Sequence, residues 1–277
     1  MPRRPAFRSV TSRQNRVVTA FREAAAHPSG ELVLIEGARL VLEAVRAGWK
    51  LQVVAFSPEA RDRAAAQPLL ELPDDEIDLL DVTRSVIEAM SPAATPSGVV
   101  ALARRPPSRR DPFDGPAPLV IAACDVQDPG NVGAIIRAAE AAGATGALIC
   151  GTSAHPFGWK ALRGSMGSAF RLPIALYPAA DAIAAARSRS IRIVALAAHG
   201  GQDLYTADLS GPLAIFAGGE GPGLSADVTA AADQVVTVPM AAPVESLNVA
   251  VASAIVLYEA ARQRSAKAQR PIADRHP

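Results

Sequence analysis

The chain has 277 residues, of which 49% are hydrophobic and 20% charged, and its formal net charge is +1. This composition predicts a globular protein with a sizeable core and length for two ordinary domains. No run approaches the roughly 18 apolar residues that a membrane span needs, and the N-terminus lacks the apolar core of a secretory signal. We therefore expect a protein without a membrane partner.

The positive charge is unevenly distributed along the chain. Six arginines precede Glu23, the first acidic residue, and further basic clusters lie near the middle and the end. Such clusters favour contact with a polyanion, although solvated ends would show the same pattern. An arginine-rich start also fits an organelle transit peptide, but arginine and alanine remain abundant along the whole chain, which weakens that interpretation.

The distribution of prolines and charges indicates two domains. Residues 1–103 predict a small α/β domain, residues 104–116 a linker, and residues 117–265 a second domain followed by a basic tail at 266–277. In the first domain the strand and helix patterns are ELVLIEG (31–37), ARLVLEAVRAG (38–48), LQVVAFSP (51–58), DLLDV (78–82), VIEAM (86–90) and GVVALA (98–103).

The second domain alternates apolar runs with helical patterns, which predicts a mostly parallel sheet covered on both faces. Ligands of such sheets bind at the carboxyl ends of the strands. Two of the runs end at Cys124 and Cys150, which we interpret as buried thiols in a reducing cytoplasm. The predicted strands are 118–124, 146–150, 172–176, 191–198, 212–218 and 234–240, and the predicted helices are 131–143, 179–188, 223–232 and 246–264.

The first candidate loop is DVQDPGNVGAIIRAAEAAG, residues 125–143. Asn131 is a suitable N-cap for the helix that follows, and Arg137 falls outside the apolar stripe of that helix. A surface arginine paired with Glu140 remains the simpler alternative for Arg137.

The second candidate loop is AGGEGPGLS, residues 217–225. Its four glycines allow the backbone to approach a ligand closely, and a helix is expected from about Leu224. The loop matches neither the dinucleotide fingerprint nor a P-loop, and Glu220 would repel phosphates. A tight turn capped by Glu220 is the alternative.

The third candidate is VPMAAPVESLNVAVASAIVLYEAARQR, residues 238–264. Its helix is expected to begin at Ser246 and is apolar on nearly all sides, so it should be buried in the core or against another subunit. Asn248 would lie at the mouth of a site or act as a capping partner. A fourth stretch, GWKALRGSMGSAFRLP (158–173), resembles an RNA-facing loop, and a plain surface loop is equally compatible.

Together these stretches resemble the catalytic domain of the SpoU, or TrmH-like, family of RNA ribose 2′-O-methyltransferases. The motifs that carry the resemblance are DPGNVGAIIRAAEAAGA, KALRGSMGSAFRLP, IFAGGEGPGLS and VPMAAPVESLNVAVASAIVLYEAARQR. Upstream, SRQNRVVTAF, LVLIEGARLVLEAV and TPSGVVALARRP look more loosely like the substrate-binding domain of ribosomal RNA members.

The resemblance implies an α/β fold with a mostly parallel sheet and a C-terminal trefoil knot of the SPOUT type, preceded by a smaller L30e-like α/β domain. It further implies S-adenosylmethionine as cofactor, a homodimer, and methylation of a ribose 2′-hydroxyl, with large-subunit 23S ribosomal RNA as the expected substrate. No metal is needed, because the methyl sulfonium is already activated and the protein has only to align the hydroxyl and assist proton loss.

The resemblance assigns residues to three roles. The cofactor-binding residues are Gly218, Val238, Leu247, Gly219, Met240, Leu196 and Ala198. The catalytic residues are Arg137, Asn131, Glu220, Ser246 and Asn248. The expected RNA-binding residues are Arg13, Asn15, Arg39, Lys160 and Arg163.

Within the catalytic set, a guanidinium essentially never deprotonates, so we expect Arg137 to grip a phosphate and lower the pKa of the ribose hydroxyl rather than act as a base. Asn131, Ser246 and Asn248 would orient the ribose and Arg137, and Glu220 would support the knot or the dimer contact. A transfer RNA methyltransferase and a non-catalytic RNA-binding assembly factor are the alternatives, while an oxidoreductase would need a glycine fingerprint that the sequence lacks.

Overall fold

The computed structural model describes residues 7–63, 65–72, 77–107 and 110–268. Their contacts divide them into two compact units. The first unit holds the described residues up to Pro107 together with Phe157–Arg171, and the second holds the remainder. Most of the predicted basic tail (269–277) and the arginines at positions 3, 4 and 109 lie outside the described residues.

The first unit is built on a five-stranded mixed sheet with the order β1-β4-β3-β5-β2. Strands β1, β4 and β3 are parallel, whereas β2 and β3 both pair with β5 in the antiparallel sense. The elements are β1 Arg8–Val10, α1 Arg16–Ala26, β2 Leu32–Glu36, α2 Ala38–Arg46, β3 Lys50–Phe56, α3 Pro58–Arg61, α4 Gln67–Leu70, β4 Asp78–Val82, α5 Arg84–Met90 and β5 Val99–Arg104.

The second unit begins with β6 Leu119–Cys124, α6 Pro129–Ala141 and β7 Gly146–Cys150. The chain then forms α7 Trp159–Ser165 and a 3-10 turn at Ser168–Phe170, both of which belong to the first unit by their contacts. It returns to the second unit through β8 Ile174–Tyr177, α8 Ala179–Ser188, β9 Arg192–Leu196, β10 Gln202–Asp203, β11 Leu213–Gly218, α9 Ala226–Ala230, β12 Gln234–Thr237 and α10 Val249–Ala268.

The sheet of the second unit has seven parallel strands in the order β10-β12-β9-β11-β6-β7-β8. Every residue of β6 is buried. Because successive side chains of a strand point to opposite faces, both faces of the sheet must be covered. Val120 and Ala122 pack in a cluster with Ala182 of α8, and α6 and α10 pack on each other and on β6, β7 and β11. The predicted mostly parallel α/β fold is confirmed, while the trefoil knot and the L30e-like character of the first unit stay predictions.

The cysteine interpretation is confirmed in position and burial. Cys124 and Cys150 are the last residues of β6 and β7, face each other in register, and are free and buried. A hydrogen bond with Cys150, and then burial, raises the pKa of the Cys124 thiol. This thiol is therefore held neutral, which suits a core residue rather than a nucleophile.

The predicted helix starts need correction. Helix α6 begins at Pro129, and Asp128 is its N-cap through an oxygen that accepts from the Asn131 N–H at 2.9 Å. Asn131 was expected to be this cap, but proline in the first turn has helical φ and needs no partner for a missing N–H. Helix α10 begins at Val249 with Asn248 as the capping side chain, so Ser246 does not cap it.

Other predicted elements differ in extent. Helix α9 starts after its cap Ser225 and covers only Ala226–Ala230. The stretch 158–173, expected to be a loop, contains α7. Strands β9 and β12 end at Leu196 and Thr237, so the residues that follow them form loops at the carboxyl edge of the sheet.

Candidate active site

A pocket of about 360 Å³ lies at the carboxyl ends of β9, β11 and β12 and is closed by the start of α10. All seven residues predicted to bind the cofactor line this pocket. Three of the predicted catalytic residues, Glu220, Ser246 and Asn248, line it as well. Their roles remain predictions, but the structure brings together residues that are far apart in the sequence.

Two glycines at the end of β11 bring backbone segments close together. A Cβ on Gly218 would overlap the backbone of Gly223 and Leu224, and a Cβ on Gly219 would overlap the carbonyl oxygen of Asp125. The Gly219 N–H donates to the Cys124 carbonyl at 2.8 Å. The loop that follows β11 is thus held against the loop that follows β6, and only glycine permits this approach.

The pocket wall combines apolar side chains with accessible backbone. Leu196, Val238, Met240 and Leu247 are half-buried, and glycines and alanines form much of the remaining surface. Apolar walls with a few directional polar groups are typical of pockets that hold small organic ligands.

A chain of side-chain hydrogen bonds at the pocket mouth joins the first turn of α6, the loop after β11 and the residue before α10. Asn131 Nδ2 donates to Glu220 Oε1 at 2.7 Å, and Asn248 Nδ2 donates to Asn131 Oδ1 at 3.0 Å. Asn248 Oδ1 in turn accepts from the N–H groups of Ala250 (2.9 Å) and Val251 (3.3 Å). We call Glu220, Asn131 and Asn248 the amide relay.

Only one assignment of hydrogen-bond donors and acceptors is consistent along the amide relay. The first turn of α10 can only donate, so it fixes the oxygen of Asn248, and the nitrogen of Asn248 must then face the oxygen of Asn131. The Asn131 nitrogen is left to face a carboxylate, which only accepts. The relay therefore orients both amides without any freedom to flip, and it ties the first turn of α6 and the loop after β11 to the start of α10.

Arg137 lies apart from this group. It is exposed on α6 and is not part of the pocket wall. Within the described part of the chain it takes part in no hydrogen bond or ion pair, so the alternative of a pair with Glu140 is not formed. Its exposed guanidinium can bind a ligand that lies outside this pocket.

The predicted RNA-binding residues all belong to the first unit. Arg13, Arg39, Lys160 and Arg163 are exposed. Lys160 and Arg163 lie over the Trp159 ring, at 5.5 and 5.9 Å from its centroid. Asn15 instead caps α1, because its side-chain oxygen accepts from the Val17 N–H at 3.1 Å.

Sequence reasoning missed Asp125. This residue has a φ of 55°, which is unusual for a non-glycine residue, and its Oδ1 accepts from the N–H (2.8 Å) and the hydroxyl (2.9 Å) of Thr152. Asp125 thereby fixes the loop after β7 beside the loop after β6. An aspartate directly after a buried strand was the available signal, since aspartate tolerates this conformation.

Comparison with known proteins agrees with this geometry. Residues 118–258 match the SpoU rRNA Methylase family, and residues 23–101 match the MRM3-like substrate binding domain. A Mycobacterium ulcerans (strain Agy99) protein named as an uncharacterized tRNA/rRNA methyltransferase is 35% identical over 244 residues, which cover 84% of this chain and 78% of the relative.

Two solved structures are similar over nearly the whole chain. A crystal structure of an RNA 2′-O ribose methyltransferase has a TM-score of 0.81 and 30% identity, covering 92% of this chain and 99% of its own. The SpoU methyltransferase AviRb from Streptomyces viridochromogenes, in complex with the cofactor AdoMet, has a TM-score of 0.80 and 28% identity, covering 90% and 98%.

The fold and the pocket define a methyltransferase of the mostly parallel α/β class. The chain belongs to the SpoU rRNA methylase family, and it is an S-adenosylmethionine-dependent RNA methyltransferase. In the described residues no group of three or more His, Cys, Asp or Glu side chains could hold a metal ion. None of the described helices is long and apolar enough to cross a membrane.

Proposed function

We propose that the protein methylates a ribose 2′-hydroxyl of large-subunit 23S ribosomal RNA. The observation that carries this proposal is the amide relay, which holds Asn131, Glu220 and Asn248 at the mouth of a pocket lined by every predicted cofactor residue. The 2′-O position is supported by the similar structure named as an RNA 2′-O ribose methyltransferase. The match of residues 23–101 to a substrate binding domain supports a structured RNA as substrate.

The pocket fits S-adenosylmethionine by the chemistry of its wall. The tight backbone at Gly218 and Gly219 leaves peptide groups accessible beside apolar side chains, which suits a ligand that has an adenine ring, a ribose and an amino acid end. Leu196, Val238 and Leu247 would pack on its apolar parts. When bound, the cofactor supplies an activated methyl group.

The protein's own contribution is positioning and electrostatics. Asn131 and Asn248, held by the relay, would orient the ribose, and Ser246 at the pocket wall would take part in the same alignment. Arg137 would grip the phosphate beside the target ribose, and its charge would lower the pKa of the 2′-hydroxyl. Glu220 would anchor the relay, since it accepts from Asn131.

We further propose that the protein acts as a homodimer. Helix α10 buries Val256 and Leu257, but Val251 and Tyr258 are 48% and 55% exposed. These two residues are seven positions apart and so share a face of the helix. A second copy of the chain would cover this face, and it would also offer an exposed Arg137 to a neighbouring pocket. A reducing cytoplasm stays our prediction for the location.

Methyl transfer from labelled S-adenosylmethionine to ribosomal and transfer RNA tests the proposal. Nucleoside analysis of the product should show a 2′-O-methyl nucleoside from 23S RNA, whereas a base-methylated nucleoside would overturn the proposed position and a transfer RNA product the proposed substrate. The site should be absent from the RNA of cells that lack the gene.

The role of Arg137 is tested in the same assay. Arg137→Ala and Arg137→Lys should each lower turnover, by about a hundredfold or more for alanine, because neither restores the planar fork that grips a phosphate. Arg187→Ala on α8 is the matched control and should retain activity. Near-normal turnover in either Arg137 variant would contradict the phosphate grip.

A further inference from the structure

The first unit contains a cavity of about 320 Å³ that the methyl-transfer reaction does not use. It lies between the start of α2, the segment after α3 and the end of α7. Its inner wall is apolar, with Leu40, Ala66 and Val99 buried around it. This volume is within the range of pockets that hold small organic groups.

Three arginines line this cavity, and Arg63 interacts with the exposed Glu59 only through the field of its charge. Arg39, Arg63 and Arg163 line it and are exposed. Arg63 donates to the Ser97 carbonyl at 3.4 Å, and Arg163 lies over Trp159. Among the described residues no ion pair includes any of the three.

The two carboxylates at the cavity are already satisfied. Glu36 is buried, and its oxygens accept from the Ser91 hydroxyl and the Ser97 N–H, both at 2.8 Å. Glu43 is paired with Arg46 at 2.8 Å and with Arg171 at 2.7 Å. The unpaired charge around the cavity is therefore positive and suits an anionic ligand with an apolar part.

The start of α2 adds hydrogen-bond donors to this charge. Gly37 is the N-cap of α2 and has no side chain to satisfy the first-turn N–H groups. Those groups have no partner within a helix, and Gly37, Ala38 and Arg39 all line the cavity. They can bind the polar edge of a ligand or a phosphate oxygen.

We propose that this cavity captures one unpaired nucleotide of the RNA substrate. The base would lie against the apolar wall, and the two flanking phosphates would bind Arg39, Arg63 and Arg163. Unstacked bases are what proteins read in RNA, and a guanidinium suits both a phosphate and the face of a base. The proposal rests on the proposed function in taking a structured RNA as the substrate.

The cavity is lined by four separate stretches of the sequence, and one of them lies far along the chain from the others. Arg163 and Met166 belong to the segment Phe157–Arg171, which follows β7 and precedes β8 of the methyltransferase sheet but packs within the first unit. Trp49 holds this segment through the rings of Phe157 and Phe170, at centroid distances of 5.7 and 4.8 Å. Nucleotide capture would therefore engage the chain that joins two strands of the methyltransferase sheet.

The four nucleoside 3′,5′-bisphosphates test the proposal, because each carries one base between two phosphates. They are titrated by calorimetry into the full-length protein saturated with S-adenosylhomocysteine, with ribose 3,5-bisphosphate as the ligand that lacks a base. At least one nucleotide should bind about tenfold more tightly than the compound without a base. Equal binding of the two would overturn the proposal and leave only an anion site.

Cavity variants locate the binding. Ala38→Phe fills the cavity and should weaken nucleotide binding about tenfold, whereas Ala26→Phe, at an exposed position at the end of α1, should not. Arg39→Ala and Arg63→Ala change exposed side chains. Each should weaken binding of the nucleotide and of the compound without a base to the same extent. Arg84→Ala is the control and should leave both affinities unchanged. Unchanged binding in Ala38→Phe and in both arginine variants would overturn the proposal.

These titrations use no methyl transfer, so their failure is distinct from failure of the proposed function. Nucleotide binding with base methylation would overturn only the ribose assignment. Ribose methylation without nucleotide binding would overturn only the cavity.

Discussion

The two cavities of this protein have similar volumes, about 360 and 320 Å³, but are built in opposite ways. The methyltransferase pocket is shaped by close backbone approach at Gly218 and Gly219 and by the amide relay. The cavity of the first unit is lined by three long arginine side chains, and Arg63 donates to the Ser97 carbonyl at 3.4 Å.

The difference reflects what each cavity has to bind. A cofactor has one shape, and methyl transfer requires its position to be fixed within a fraction of an ångström, so short side chains and backbone are suitable walls. A nucleotide within a folded RNA arrives with variable surroundings, and flexible cations tolerate such variation while still contributing to affinity. Substitutions should therefore have large effects in the first pocket and graded effects in the second.

The largest effect is expected for Gly219→Ala. Its Cβ would overlap the Asp125 carbonyl oxygen, so the loops after β6 and β11 would have to separate. We expect S-adenosylmethionine to bind about a hundredfold more weakly, in line with the cost of overpacking, as measured by calorimetry. Ala180→Val is the control, since it adds methyl groups at an exposed position of α8 that is not part of the pocket wall; if both variants bound equally well, the close approach would not shape the pocket.

A smaller effect is expected when one side chain of the amide relay loses its hydrogen-bond donor. Asn131→Asp would place a carboxylate beside Glu220, and the repulsion should weaken cofactor binding about tenfold. Glu220→Gln alone should have little effect, because the glutamine oxygen can still accept from Asn131.

The double variant sharpens this test. In Asn131→Asp combined with Glu220→Gln, the carboxylate at position 131 still accepts from Asn248, and the amide introduced at position 220 donates to it. Both relay hydrogen bonds are restored, and only the one between positions 131 and 220 has the opposite polarity. Calorimetry should show recovery of most of the lost affinity. If the double variant bound as weakly as Asn131→Asp, the relay would not be what organises the pocket.

The dimer prediction addresses whether one chain completes the pocket. Tyr258→Asp would place a charge on the exposed apolar face of α10, and we expect the dimer dissociation constant to rise about a hundredfold or more. Sedimentation analysis measures it, with Ala180→Asp on the exposed surface of α8 as control. A wild-type protein that sediments as a monomer at micromolar concentration would contradict the dimer.

The smallest effect is expected at the far end of α10. Hydrogen bonding by Arg262, and then by Gln263, holds the pKa of Glu259 below its ordinary value. The resulting stability is fully present above the ordinary carboxyl pKa and is lost as the pH falls through the lowered pKa.

Glu259→Gln should therefore lower the melting temperature by at most a few degrees at neutral pH. The difference from the wild type should shrink in acid, where Glu259 is protonated in both the folded and the unfolded protein. A difference that stays constant over this range would show that the charge of Glu259 is not the cause.

Much of the fold could be predicted from local patterns in the chain. Apolar runs ending at Cys124 and Cys150 identified two interior strands, and their alternation with helices identified the parallel sheet. Hydrophobic periodicity is a local property of the chain, so it can be read without knowledge of the tertiary structure. The helix starts were less accurate because Asp128 and Asn131, like Ser246 and Asn248, are all acceptable caps by residue type.

The residues of the candidate pocket were identified through the family resemblance, which already contains tertiary information. Their physical arrangement was not predictable from spacing. The relay joins residues 89 and 117 positions apart, and its polarity depends on where α10 actually begins.

The sequence alone was enough for the α/β class, the basic character of the first region and the family motifs, because these depend on composition and on patterns within about twenty residues. Only the tertiary structure decided that Phe157–Arg171 packs with the first unit, through contacts between Trp49 and residues more than a hundred positions away. It also decided that Arg39, Arg63 and Arg163 meet at one cavity. Such contacts depend on how distant elements pack, and no local pattern in the chain encodes that.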